Sequence, residues 1–432
     1  MTDSRRTFLE RLLGASAATA LVPLTPGRSD PASLAGRADQ PARLPSAPTG
    51  DEQYWADLKR QFVFPANQIP MNSANMCPAP RTVVEAVERA TRDVDGDVSY
   101  QNRAKYNALR ESARARVGTL LGVTADEIAI VRNASEANNI VVGGIALGKG
   151  DEVVLLDQNH PTNNVAWDVR AARFGFTVKR VGFATPPISV AEVVDAMVGV
   201  MTERTRVLAF SDVSNATGLA MPTADLCRIG RDRGMYVHVD GAQTFGATDR
   251  NLRELGCDSY SASAQKFLMG PREIGILYVR AERVAELWPG VVGVGWGSAA
   301  ASVAKGARKF ETLGQRNDAS TAGLAAAIDF HERIGPAVVE ARIRELADRA
   351  FTGLTAAGFE LTTARPPELR LGVVVAKAEG PVAQEWHERL YRDHGVIGSN
   401  TGGLRLSPNL CNTLADVDRA VAALTALRSR RS

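Results

Sequence analysis

The sequence predicts an α/β fold: a large domain built on a mostly parallel sheet, with a smaller α+β C-terminal domain. Three observations carry this. Short runs of Val, Leu and Ile recur between residues 128 and 240, separated by helical segments of 10 to 15 residues, the signature of a parallel sheet covered on both faces. After about residue 305 that alternation stops and the chain ends on a helical stretch (415–430). Composition is that of an ordinary globular chain, 45% hydrophobic and 23% charged, and 432 residues suffice for two lobes.

In chain order, the first element is an address. Ser4-Arg5-Arg6-Thr7-Phe8-Leu9 precedes an uncharged, mildly apolar run from Leu12 to Gly27, the layout of a secretory signal. The run is too short and too rich in small residues for a membrane span, which needs about 20 strongly apolar residues. The adjacent arginines followed by Phe-Leu resemble a twin-arginine (Tat) signal over residues 1–27. That implies handling by the Tat export machinery and a periplasmic or secreted protein; the bland alternative is a tail with two chance arginines. Residues 28–50, rich in Pro, Ala, Ser, Arg and Gly without periodicity, read as a flexible linker. The large domain then runs over 51–304 and the small one over 305–432.

Within the large domain an amphipathic helix (106–122) leads into a strand ending at Asn133. Further strands are expected at 151–157, 176–183, 205–211 and 235–240, with a helix at 222–234. Ligands of such sheets bind outside the carboxyl ends of the strands, which directs attention to the residues after Asn133, Asp157, Ser211 and Asp240. No internal repeat is visible.

Charge and cysteine usage exclude several functions. The formal net charge is +3, and the first 50 residues hold six of the bases and four of the acids. The nearly neutral remainder has no electrostatic footprint for nucleic acid or an anionic membrane. Four cysteines without a CxxC pair and five histidines without ligand spacing give neither a disulfide framework nor a metal site.

The chemistry gathers at the strand ends. Val237-His238-Val239-Asp240-Gly241-Ala242-Gln243 ends a strand in a carboxylate, and 26 residues after Asp240 a Ser-containing turn, Ser261-Ala262-Ser263-Ala264-Gln265, delivers Lys266. Pyridoxal phosphate (PLP) chemistry needs both groups. A lysine forms the imine and acts as base once burial lowers its pKa. A carboxylate at the pyridine nitrogen keeps the ring protonated as an electron sink. Taken singly, the two residues would read as a turn cap and a surface lysine. His238 shares the strand face of Asp240 and is read as a packed histidine.

With these motifs the chain, from about Ile69 to Arg419, resembles the class V aminotransferase family of fold type I PLP enzymes, nearest its isopenicillin N epimerase-like and Tat-exported members. The resemblance implies roles residue by residue. Arg132-Asn133-Ala134-Ser135-Glu136 resembles the phosphate-binding turn, with the Ala134 amide and the Ser135 hydroxyl as ligands. His160, in Asn159-His160-Pro161, matches the histidine that stacks on the ring. Asn215 and Gln243 match contacts to the phenolic oxygen, Asp240 the ring-nitrogen partner and Lys266 the imine lysine. Ser263 matches a phosphate ligand, and Gln265 stands where relatives usually carry His. Arg405, in Gly403-Leu404-Arg405-Leu406-Ser407-Pro408, matches the arginine that forks onto the substrate carboxylate, and Asn72 resembles a substrate-side residue. Gln315 replaces the Thr of a Gly-Thr pair that reaches a partner subunit's phosphate; a homodimer is implied.

Two decoys fall away. Gly143 to Lys149 nearly spells a phosphate-binding Walker loop, but Gly150 stands where Ser or Thr should hold magnesium and no strand precedes it. Gly293 to Gly297 reads as a loop between the lobes. Desulfurase relatives carry a nucleophilic cysteine on a loop before the arginine, whereas this chain runs from His394 to Arg405 without one; persulfide chemistry is therefore not expected. What remains is a PLP enzyme working at the α-carbon or amino group of an amino acid or amino-acid-derived metabolite, by epimerisation, transamination or elimination. Export suggests a tailoring step in the maturation of a siderophore or another secondary metabolite. The contrasting reading is a binding protein that keeps the fold without catalysis.

Overall fold

A computed structural model describes residues 51–293, 305–311 and 314–429. The signal and linker readings, and most of the Gly293–Gly297 segment, lie outside the described residues. Eleven strands are present among them: β1 (Ile69–Pro70), β2 (Ile128–Val131), β3 (Glu152–Leu156), β4 (Thr177–Val181), β5 (Thr205–Ser211), β6 (Tyr236–Asp240), β7 (Ser259–Ser263), β8 (Gly275–Val279), β9 (Val374–Ala376), β10 (Val396–Ile397) and β11 (Leu404–Leu406).

Seven of them form one sheet in the order β2-β8-β7-β6-β5-β3-β4. The pairs β3–β4, β3–β5, β5–β6 and β6–β7 are parallel, and β8 runs antiparallel to both β7 and β2. The sheet is thus mostly parallel, and the strands expected from the apolar runs are β2 to β6. β7, read from sequence as a turn, is a fully buried strand of sequence SYSAS. Its serines break the apolar pattern because they serve polar partners inside the fold. β4 is the strand open to solvent over most of its length, with only Val181 buried, and carries Lys179 and Arg180, as an edge strand should.

The strands alternate their side chains between two cores. Val154, Leu156, Leu208, Phe210, Val237 and Val239 pack with Leu226 and Ile328 on one face. Val153, Leu155, Val207, Ala209 and Tyr236 pack with Ala137, Val141 and Trp167 on the other. Burying a side chain of this size contributes about 1.5–3 kcal/mol, so both faces are firmly covered. The expected helix at 106–122 is Tyr100–Leu120, started by the Ser99 side chain accepting from Asn102 N. The terminal helix is Leu414–Ser429.

A separate core joins Leu346, Leu354, Val374, Trp386, Leu404, Leu406 and Leu424 with Ile69 and Met71 of the N-terminal arm. The helix Asp318–Ile334 places Leu324, Ala327 and Ile328 in the large-sheet core instead. Parallel β1–β10 and antiparallel β9–β11 tie the arm and the C-terminal lobe together, and Ser407 N donates to Met71 O at 2.7 Å. These ladders set Asn72 beside Arg405. Among the described residues no helix is long and apolar enough to cross a membrane, and no His, Cys, Asp and Glu cluster suits a metal.

Candidate active site

The carboxyl ends of β2, β3, β5, β6 and β7 open on one cavity of about 560 Å³. Ala134, Ser135, His160, Asn215, Asp240, Gln243, Ser263, Gln265, Lys266 and Arg405 all line it. Asn72 does not; it faces an adjoining cavity that shares Asn75 and Gln265 with this one. Gln315 lines neither.

Asp240 ends β6 and is buried. Its Oδ2 accepts from Asn138 Nδ2 at 2.9 Å and its Oδ1 from Ala242 N at 3.1 Å. The second bond depends on Gly241. A Cβ there would lie 1.8 Å from Tyr260 Cζ, so only glycine lets the chain turn across that ring.

Lys266 follows β7 on a tight loop. Met269 N donates to Lys266 O at 3.0 Å and Gly270 N to Ala264 O at 2.8 Å, and Met269 takes a left-handed φ of 58°, a conformation a side chain adopts only at a cost. Lys266 Nζ has no hydrogen-bond partner among the described residues. Burial lowers its pKa to about 8; Asp240 opposes the shift and Arg405 adds to it.

His160 caps the helix Pro161–Phe174. Its Nδ1 accepts from Thr162 N at 3.3 Å and lies 2.8 Å from Thr162 Oγ1. The proton therefore sits on Nε2, and burial together with Lys266 lowers the imidazole pKa, keeping it neutral.

One end of the cavity is the N-terminus of the helix Ala134–Gly144, where orphan N–H groups favour an anion. Asn133 caps that helix by accepting from Glu136 N at 3.0 Å. Ser263 Oγ accepts from Ala134 N at 2.8 Å, and Ser135 Oγ lies 3.4 Å from Thr162 Oγ1. Gln243 Nε2 donates to Ala74 O at 3.0 Å. Its Oε1 and the Oε1 of Gln265 are buried without partners among the described residues.

At the other end stands Arg405, buried and with no acidic partner among the described residues. Its terminal nitrogens donate to Asn215 O and to Asn72 Oδ1, both at 2.9 Å, and Nε has no partner. Burial alone pulls its pKa down to about 10. A guanidinium has five donors, so the remaining N–H groups are left for a ligand.

Sequence reasoning missed Asn138, Thr162, Ser399 and Thr401, which also line the cavity. The signal for the last two is the pair Gly402-Gly403, both at positive φ, which turns the chain so that Ser399 and Arg405 exchange backbone hydrogen bonds at 3.1 and 2.8 Å. All four cysteines are buried, and none lines the cavity.

Comparison with known proteins agrees with this geometry. The family model for class V aminotransferases matches residues 71–415. The isopenicillin N epimerase of Streptomyces clavuligerus is 30% identical over 390 residues, covering 86% of this chain and 98% of the relative. Among solved structures, the apo cysteine desulfurase from Thermococcus onnurineus NA1 superposes with a TM-score of 0.77 at 23% identity, covering 87% of this chain and 98% of the other. A lysine mutant of C-DES with glycine covalently linked to its PLP cofactor has a TM-score of 0.77 at 22% identity, over 85% and 98% of the two chains.

Proposed function

This chain belongs to the class V aminotransferase family and is a PLP enzyme, and from that premise we propose that it removes the α-proton of an amino acid whose carboxylate rests on Arg405. The observation that carries the reading is a buried guanidinium with no acid of its own, on the wall of the cavity that also holds Lys266 and Asp240. An uncompensated buried charge costs several kcal/mol, a cost that a bound carboxylate offsets.

The residues present fit the cofactor. A helix N-terminus, Ser135 and Ser263 suit its phosphate, Asp240 its ring nitrogen, and the orphan Oε1 of Gln243 its phenolic hydroxyl. When bound, PLP supplies an electron sink for the charge left at the α-carbon. The protein does the rest. Arg405, braced by Asn72 and the Asn215 carbonyl, orients the carboxylate. The Lys266 amine takes the α-proton, and with the cofactor bound Asp240 would hold a proton at its ring nitrogen and neutral His160 would cover its ring.

Within this reading epimerisation is the outcome we favour, supported by the 30% identity to S. clavuligerus isopenicillin N epimerase across 86% of the chain. Persulfide chemistry is disfavoured, because no cysteine lines the cavity. The test is incubation with candidate amino acids in deuterated water, following absorption, isotope at the α-carbon and product mass. Exchange with inversion supports epimerisation, exchange with keto-acid or fragment products supports transamination or elimination, and no exchange with any carboxylate-bearing amino acid sinks the reading.

Arg405→Ala is expected to raise KM far more than it alters cofactor occupancy, since a desolvated guanidinium–carboxylate contact is worth about 2–5 kcal/mol. Arg405→Lys should be nearly as harmful, because an ammonium cannot reproduce the fork. Unchanged kinetics on the physiological substrate would move the weight to a larger, carboxylate-free metabolite.

The same reading extends to assembly and place. A homodimer is supported by an exposed apolar face of Val165, Val169 and Phe174, on the helix whose first residues, Pro161 and Thr162, line the active cavity; sedimentation reports the mass. For Tat export and a tailoring step outside the cytoplasm, replacing Arg5 and Arg6 with Lys should retain folded, cofactor-loaded enzyme in the cytoplasm. Undiminished periplasmic enzyme in that variant would exclude the route.

A further inference from the structure

Behind Asp240 lies a set of polar side chains that the mechanism above does not use. β6 and β7 pair in parallel with His238 opposite Ser259 and Asp240 opposite Ser261. From the helix Ala134–Gly144, Asn138 reaches into this square. Its Nδ2 donates to Asp240 Oδ2, and its Oδ1 accepts from Ser261 Oγ and from His238 Nε2, the latter at 2.8 Å. His238 Nδ1 lies 2.8 Å from Ser259 Oγ. All five side chains are at most 2% exposed.

One assignment of protons satisfies these contacts together. An ionised carboxylate only accepts, so the NH₂ group of Asn138 must face Asp240 and its carbonyl must face His238. His238 must then carry its proton on Nε2. Burial holds the imidazole neutral, with a pKa of about 4, against the pull of Asp240. Nδ1 is therefore a lone pair, and Ser259 donates to it. The carboxylate sets the amide, the amide sets the tautomer, and the Ser259 hydroxyl follows the tautomer. A histidine between Val237 and Val239 inside a sheet is costly to bury, and both of its ring nitrogens are spent on side chains rather than backbone.

We propose that His238, acting through Asn138, is a positioning residue that locks the Asp240 carboxylate in a single orientation at the cofactor's ring nitrogen. The proposal rests on the role given to Asp240 above. Without the Nε2–H donor, Asn138 Oδ1 keeps only Ser261, and the amide that donates to Asp240 Oδ2 is held less firmly in its orientation.

The test compares His238→Phe, which keeps a ring and loses the donor, with His238→Gln, whose amide N–H can replace it. His238→Phe is expected to lower kcat by about 10- to 100-fold, the scale on which outer residues act through those they orient. KM for the amino acid should stay within about twofold and the visible band of the bound cofactor should shift, while His238→Gln recovers most of kcat and the band. Wild-type kcat and spectrum in His238→Phe would overturn the proposal, as would a loss that His238→Gln fails to rescue. Should His238→Phe not fold, Asn138→Ala carries the same expectation, and wild-type kcat and spectrum in it overturn the proposal equally. Failure of the parent reading is distinct, because it shows in the unsubstituted protein as no isotope exchange at the α-carbon of any amino acid.

Discussion

Lys266→Ala is expected to abolish turnover, by ~10⁴-fold or more, in a protein that still folds. One amine supplies both the covalent anchor and the α-proton base, and a positioned base alone contributes about 10²- to 10⁴-fold. The fold should survive because Lys266 Nζ bonds to nothing among the described residues and lines an open cavity, so truncation leaves neither an orphaned partner nor a closed void. Near wild-type turnover in this variant would remove the central assignment. The pH dependence of covalent cofactor loading checks the same residue. With a pKa lowered by burial to about 8, the amine is protonated and unreactive below that pH and neutral above it. The loading rate should rise through pH 8 and then level off. A rate still climbing at pH 10 would mean an unperturbed lysine, whose pKa is about 10.4.

Asp240→Asn is expected to leave the cofactor bound and to lower kcat by about 10²- to 10³-fold, the scale of losing one preorganised electrostatic contact. The amide is nearly isosteric and keeps an oxygen for the Ala242 N–H, but it carries no charge to hold a proton on the ring nitrogen. With its oxygen there, its NH₂ faces the Asn138 NH₂, so part of the loss comes through that contact. Rate and occupancy measured on the same preparation separate the two causes. A variant retaining most of its activity would make Asp240 a turn-capping residue and no more.

Much of this was legible because it is local. The apolar runs that became β2 to β6 sit between helices, and a parallel sheet buries both faces, so periodicity alone marked them. Asp240 and Lys266 were legible because a carboxylate at a strand end and a lysine after a Ser-containing turn are chemistry written in spacing. β7 was read as a turn because serines have low strand propensity. What makes SYSAS a strand is its central place in the sheet and the partners its hydroxyls find there.

The sequence by itself determined the fold class, the family and many of the residues that meet in the cavity, since motifs at strand ends converge wherever parallel strands lie side by side. Only the tertiary structure decided what those residues do to one another. Arg405 is 333 positions from Asn72, which braces it, and no local pattern says that a guanidinium will be buried without an acid. His238 reads as core from its neighbours Val237 and Val239, yet a residue 100 positions away on a facing helix makes it a donor. Hydrogen bonds are short and directional, so a side chain's partner is fixed by the packing of distant elements, which sequence spacing does not encode.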